Sequence, residues 1–267
     1  MRLSAGKFGN ALLAIASWCV IVYLMLPLIV IIGVSLTSAN FMTFPPHGLS
    51  LKWYAKVINN PVYIDAFWLS VEISAVATAV ALVLGVPAAM ILVRKQFFGA
   101  RAINALFLSP LILPTIVLGV AVLQFASAIG LGRSFATLLI GHSVLIIPYV
   151  IRSTLVSLAG FDLSTEEAAQ DLGAGSTATM FLITLPLIKP GVIAGGLFAF
   201  IMSWINVEVS IFSSSSDLMT LPVRIFGEVQ SSVDPSMAAV SALTIYLSVV
   251  VVLLLDLFIG LRRTGMT

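Results

Sequence analysis

The fifth long apolar run of the chain holds the side chains best suited to chemistry, in the order Ala199-Phe200-Ile201-Met202-Ser203-Trp204-Ile205-Asn206-Val207-Glu208-Val209-Ser210. An ionisable residue in such a run is costly in a bilayer and usually faces a cavity or a partner. Glu208 supplies a carboxylate, with the amide of Asn206 and the hydroxyl of Ser203 close by in sequence. That set suits an ammonium group, which needs one opposite charge and neutral acceptors for its remaining hydrogens. On one continuous helix, Ser203, Asn206 and Ser210 share a face, and Glu208 falls within about 60° of the Ser210 side at roughly 100° per residue. Trp204 and, in the second apolar run, Glu72 complete the candidate pathway set. The competing role for Glu208 is a packing one, paired with a basic or amide group on a neighbouring helix.

A second polar stretch, Glu166-Glu167-Ala168-Ala169-Gln170-Asp171-Leu172-Gly173, lies between apolar runs and continues to Ile183-Thr184-Leu185-Pro186. Ser164 and Glu167 stand at capping-box spacing, which predicts a helix start there. Gly173 can take the left-handed conformation that closes a helix, and Gly175-Ser176 can open another running to Pro186. Small Ala168 and Ala169 allow a partner surface to come close.

Other chemistries lack their residues. There is no Gly-x-x-x-x-Gly-Lys-Ser/Thr phosphate loop, so ATP hydrolysis cannot be supplied by this chain. No Ser-His-Asp set, HExxH or CxxC is present, and His142, in the fourth run, has no second His at metal-binding spacing. It reads as a hydrogen-bonded packing residue, and neither a metal nor a cofactor is expected in the chain. The single cysteine, Cys19, sits in the first apolar run and reads as a small packing residue.

The elements that must position these residues are membrane helices. Apolar residues make up 60% of the 267 and charged ones 9%, against roughly 25% charged in soluble domains; the mean hydropathy is +1.15. Scattered basic residues and a net charge of +2 give no support for nucleic-acid binding. Six runs suffice for a core that needs about 20 helical residues: Ala11–Leu36, Ala66–Val93, Ala105–Ala126, Phe135–Ser157, Ile188–Phe212 and Ala238–Leu261. The first is too long for the core of a secretory signal and is read as a retained span. Continuous apolarity argues for helices rather than barrel strands, which alternate. Ser109-Pro110 and Leu113-Pro114 predict a kinked or broken start to the third span.

Arg2, Lys7, Arg94, Lys95, Arg101, Arg152, Lys189, Arg262 and Arg263 fall on one side of this topology, and Lys52, Lys56, Arg133 and Arg224 on the other. The positive-inside rule therefore puts both termini and the Glu167 loop in the cytoplasm. In the first outside loop, Trp53 and Tyr54 are expected to anchor at the membrane interface. The alternative for Leu51–Lys56 is an amphipathic helix on the membrane or beneath a docked protein.

The spacing Glu167-Ala168-Ala169, Gly173, Ile183-x-Leu185-Pro186 resembles the EAA loop of permease subunits of bacterial ABC importers. Ser109-Pro110, Pro148-Tyr149, Ser203–Phe212, Leu221-Pro222-Val223-Arg224-Ile225-Phe226 and Val233-Asp234-Pro235 extend the resemblance to the spermidine/putrescine branch of type I importers, and within it to the PotC/PotI-like subunit. The resemblance implies an all-α integral membrane permease fold with six transmembrane helices. One domain would cover 1–267, with the coupling loop at 158–187. It also implies that Glu166, Glu167, Ala168, Ala169, Asp171 and Gly173 couple to an ATPase. The implied partners are a second permease subunit, two ATPase subunits that bind ATP and Mg, a periplasmic binding protein and the lipid of a bacterial inner membrane. Polyamine permeases of the branch tend to carry acidic residues at the positions of Leu111, Ile205 and Asn206. Their absence keeps open smaller or zwitterionic amines, such as 4-aminobutyrate or an aminophosphonate. A membrane-embedded enzyme or an ATP-independent channel is the competing class.

Overall fold

The computed structural model describes residues 3–94, 98–160, 162–231 and 234–259. Arg2, Lys95, Val233, Leu261, Arg262 and Arg263, used above for orientation, family likeness and the end of the sixth run, lie outside the described residues, as does the Lys7 side chain. The helices in chain order are α1 Leu3–Ser35, α2 Lys52–Ile58, α3 Pro61–Arg94, α4 Ala100–Leu108, α5 Thr115–Ala128 and α6 Phe135–Ala159. They continue as α7 Ser164–Asp171, α8 Ser176–Thr179, α9 Leu185–Trp204, α10 Glu208–Ser213, α11 Leu221–Ser231 and α12 Pro235–Ile259. Among the described residues there is no strand, only an isolated bridge between Thr37 and Leu49. In hydrocarbon every backbone polar group must be satisfied within its own segment, and the helix achieves this.

Four helical stretches are long and apolar enough to cross a membrane: Leu12–Ser35, Pro61–Arg94, Phe135–Ala159 and Ser176–Trp204. The expected third span is not straight. Ala100–Leu111 and Thr115–Ala128 meet at 106° and count as a fifth crossing only if taken together. The prolines produce this bend: Pro110 lies in a 3₁₀ turn, Ser109–Leu111, and Pro114 caps α5 in an extended conformation. Neither has an N–H to continue a helix across the corner. In α12 the apolar stretch is the shorter Pro235–Val250, so the described residues do not display six full-length spans.

The expected fifth span is also interrupted. Instead of running to Phe212, α9 ends at Trp204 and α10 begins at Glu208. Asn206 makes the break: its own N–H bonds back three residues to Ser203 O at 3.2 Å, and its Oδ1 accepts from Val209 N–H at 2.9 Å. A short amide side chain that serves the backbone in this way competes with helix continuation.

The chain forms two compact units. In Asp65–Phe226, the core joins α3, α5, α6, α9 and α10 around fully buried Ile146, Val150, Ile151, Ile188 and Val209. The closest pair is α6 with α9. A Cβ placed on Gly191 would lie 2.4 Å from Ser157 Cβ and 3.0 Å from Ser153 O; Ser153 Oγ donates to Gly191 O at 2.7 Å. A Cβ on Gly119 of α5 would lie 2.8 Å from Glu208 O, so that glycine lets α10 seat against α5.

In the unit of Met1–Ile64 with Gly227–Thr267, α1 and α2 pack on α12. Tyr54 Oη lies 2.6 Å from Ser35 Oγ and 3.4 Å from Tyr246 Oη, and Lys56 pairs with Asp234 at 2.7 Å. Burial pushes the Asp234 carboxyl upward, but Lys56 and Ser236 together hold it below the usual carboxylate range. Leu51–Lys56 is helical from Lys52 onward, yet Trp53 and Tyr54 are buried. They fill the packing of this unit instead of anchoring at the membrane interface as expected.

The α6–α9 approach generates a direct prediction. Gly191→Ala should destabilise the folded chain by about 1–3 kcal/mol, the usual cost of overpacking, while Gly175→Ala, with nothing within 4 Å of its Cβ, should not. Denaturation of the purified chain in detergent compares the two, and equal stability would refute the tight contact.

Candidate coupling loop and translocation site

The polar loop folds as the spacing predicts at its C-terminal end and differently at its N-terminal end. Gly173 has φ +90. The N–H of Gly173 bonds Gln170 O at 2.9 Å and that of Ala174 bonds Ala169 O at 3.0 Å. These two bonds make a Schellman closure, which satisfies the last carbonyls of α7 and needs a left-handed residue at Gly173. The expected capping box does not form: Leu163 is the N-cap, and no side-chain cap bond is made. Asp162 takes over, its carboxylate accepting from Ser164 N–H at 3.0 Å. That backbone bond holds the Asp162 carboxyl below the usual range. An Asx turn just ahead of α7 has used the donor region for which Ser164 and Glu167 stood ready.

Gly175 opens α8 through backbone geometry alone, and a π turn, Met180–Thr184, leads into α9. Leu185 N–H reaches back five residues to Met180 O, which suits a stretch where Pro186 offers no N–H of its own.

Of the six expected coupling residues, Glu167, Ala168, Asp171 and Gly173 are exposed and Ala169 is half-buried. Leu172 beside them is 90% exposed, an apolar side chain left uncovered by the described residues. Glu166 is different. It is buried and accepts hydrogen bonds from Arg94 at the end of α3 and from Thr184. Arg94 entered the sequence reading only as an orienting charge, and Thr184 only as the variable position before Leu185-Pro186.

The five expected pathway residues separate into two groups. Ser203, Trp204 and Asn206 are buried, whereas Glu72 and Glu208 are exposed on this chain. Trp204 packs edge-to-face on Phe67, with centroids 5.6 Å apart, and stacks with Phe200. Ser203 donates to Ser74 Oγ at 3.1 Å and lies 2.7 Å from His142 Nδ1. His142 Nε2 lies 2.9 Å from Ser210 Oγ. The expected shared face of Ser203, Asn206, Ser210 and Glu208 gives way at the helix break, and His142 of α6 reunites Ser203 and Ser210 across it. His142 is thus a fully bonded packing residue, as its isolation in the sequence suggests, and it is also the hub of the polar cluster behind the break. Among the described residues the Glu208 carboxylate has one hydrogen bond, from Asn206 Nδ2 at 3.3 Å. It has no basic partner among them, so the packing ion pair considered for it is not made among the described residues. No group of metal-binding side chains is present among the described residues.

Residues 81–263 match the family described as the binding-protein-dependent transport system inner membrane component. The chain belongs to that family. Its relatives include the spermidine/putrescine transport system permease protein PotC of Haemophilus influenzae, 34% identical over 88% of this chain and 91% of the relative. The putrescine transport system permease protein PotI of Escherichia coli K12 is 32% identical over 83% of this chain and 81% of its own length. Among solved structures, a bacterial ABC transporter involved in import of the acidic polysaccharide alginate superposes with a TM-score of 0.69 at 18% identity, covering 100% of this chain and 99% of the other. The protein is a multi-pass, helical permease subunit of an ABC importer.

For such a permease, Gly173→Val should abolish most transport while leaving insertion intact. A β-branched residue strongly resists positive φ, at a cost of order 1–3 kcal/mol. Gly173→Asn, which tolerates that region better, should keep part of it. Uptake into cells expressing the full transporter measures this, and wild-type uptake with valine would show that the bend is dispensable.

Proposed function

We propose that this permease forms half of the translocation pathway of an ATP-driven importer for a polyamine or related small amine. It serves in a bacterial inner membrane with both termini in the cytoplasm. Energy comes from two separate ATPase subunits, which bind ATP and Mg, and the chain itself performs no catalysis. A second permease subunit completes the pathway, and a periplasmic binding protein delivers the substrate. The names of the curated relatives support the amine class, and the family description supports dependence on a binding protein.

The observation that carries the substrate reading is the Glu208 carboxylate, exposed at a break in a membrane helix and, among the described residues, bonded only to a neutral amide. A carboxylate so placed in a pathway attracts an ammonium group, and a single neutral neighbour keeps the attraction weak enough for release. Coupling is assigned to α7, whose exposed Glu167, Ala168 and Leu172 offer a small, partly apolar surface to an ATPase. Small Ala168 beside uncovered Leu172 leaves room for a partner surface to pack closely.

A second substrate reading has its own support. Ile205 and Leu111 bring no charge, and Asn206 is committed to Val209 N–H. With Glu208 the only carboxylate at the break, one ammonium is matched better than several, which favours 4-aminobutyrate, an aminophosphonate or a similar zwitterion. Calorimetry of the cognate binding protein with putrescine, spermidine and 4-aminobutyrate decides between the readings.

Glu208→Gln keeps the shape and removes the charge. Transport of a cationic amine should fall about 5- to 150-fold, the span usual when one interaction biases a conformational cycle, with assembly and basal ATP hydrolysis retained. Parallel loss of assembly and transport would assign Glu208 to packing, and undiminished transport would remove it from the pathway.

A further inference from the structure

Arg94, Glu166 and Thr184 come from three separate elements and close a ring of three hydrogen bonds. Arg94 Nη2 donates to a Glu166 carboxylate oxygen and, at 3.1 Å, to Thr184 Oγ1; the Thr184 hydroxyl donates to the same carboxylate oxygen. Thr184 is fully buried, and the Glu166 side chain is 9% exposed. Arg94 is the last residue of α3, Glu166 lies in the first turn of α7, and Thr184 ends the π turn from which α9 continues. The Glu166 carboxylate therefore faces inward, and exposed Glu167 is the acidic residue presented outward from that turn.

The two helices held at this ring are joined again far from it. Ser203 of α9 bonds Ser74 of α3 at 3.1 Å, and Ser203 also meets His142, which reaches Ser210 beyond the break. Arg94 to Ser74 and Thr184 to Ser203 each span about 30 Å of helix at 1.5 Å per residue. A segment tied to both helices at one end cannot move without moving both, because packed helices shift as bodies rather than bending continuously.

We infer that the Arg94–Glu166–Thr184 ring is the positioning device that makes α7 rigid with α3 and α9, so that displacement of α7 reaches the α9–α10 break through two helices at once. The inference rests on the reading that α7 docks on an ATPase. Arg94 and Thr184 are then positioning residues: Thr184 is buried, and the partly exposed Arg94 guanidinium is turned onto the Glu166 carboxylate. Charge and geometry both matter in the ring. A buried carboxylate that loses its cation is left unpaired, and loss of the Thr184 hydroxyl removes both the acceptor for Arg94 and the donor to Glu166.

The test uses the complete transporter, with partner permease, ATPase subunits and binding protein, reconstituted in lipid vesicles. Putrescine, spermidine and 4-aminobutyrate serve as probes, and the one that stimulates wild-type hydrolysis most is used throughout. The measured quantity is the ratio of ATP hydrolysis with loaded binding protein to hydrolysis without it, alongside ATPase subunits recovered per permease. Arg94→Gln and Thr184→Val should each lower the ratio about tenfold, within the 5- to 150-fold span of typical coupling between sites, with recovery of ATPase subunits unchanged. Arg94→Lys and Thr184→Ser, which keep a donor in place, should restore most of it. The double variant Arg94→Gln/Thr184→Val should be no worse than the poorer single, as expected for members of one network. An unchanged ratio in both single variants overturns the inference, as does a ratio that falls only in step with lost ATPase subunits, or a double variant whose loss is the product of the two. If no ATPase subunits are recovered with the wild-type permease, the docking reading itself fails and the inference falls with it; recovered subunits and a stimulated wild type with unaffected variants remove the ring alone.

Discussion

The close approach of α6 to α9 is the constraint on which the rest of the Asp65–Phe226 unit depends. Within a bilayer, apolar side chains gain little by leaving lipid for protein, so helices associate through van der Waals fit and interhelical hydrogen bonds. Gly191 and Gly195 bring α9 against Ser153, Ser157 and Val150 of α6, and the Ser153 hydroxyl bonds the Gly191 carbonyl across the seam. With the middle of α9 fixed, both of its ends are fixed. One end delivers Thr184 to Arg94 and Glu166, and the other delivers Ser203 to His142. The loop cluster and the polar cluster at the helix break are thus products of a single backbone approach.

Three carboxylates of this unit show how differently the same group is handled. Glu166 is buried with a guanidinium and a hydroxyl. Asp162 is exposed and spent on a turn. Glu208 is left with one neutral amide contact. Of the three, only the last stands at the break between two membrane-run helices. A buried charge with its partners in place holds the fold together, whereas a charge in a membrane run with a single neutral contact is where a function is sought first.

What could be read in the sequence was what local chemistry decides. Gly173, the bend at Pro110 and Pro114, and the helical character of the apolar runs each follow from a few adjacent residues. The cap of α7 differs because Asp162 accepts the Ser164 N–H that the Glu167 side chain would take in a capping box, and spacing does not say which acceptor wins. The interruption after Trp204 was invisible because Ile205 and Val207 sustain the apolar run on either side of Asn206. Its support comes from elsewhere, from the seat Gly119 provides for α10 and from His142 behind it. Arg94 and Glu166 are 72 positions apart, and a single sequence gives no means of pairing them. The family, by contrast, was legible because its loop motif is a fixed spacing of adjacent residues, Glu167-Ala168-Ala169, Gly173 and Ile183-x-Leu185-Pro186.

The π turn at Met180–Thr184 bears on how much length variation the helix that follows can tolerate. A π turn accommodates an additional residue in one turn of helix, and each residue added to or taken from an α-helix rotates everything after it by about 100°. Thr184 must face Arg94 while Ser203, on the same continuing helix, must face His142. The stretch from Thr184 to Ser203 is therefore a register as well as a span. Apart from Thr184, Ser203 and the glycines seated on α6, its side chains can vary, but its residue count cannot, and natural variation there is expected as substitution without insertion or deletion.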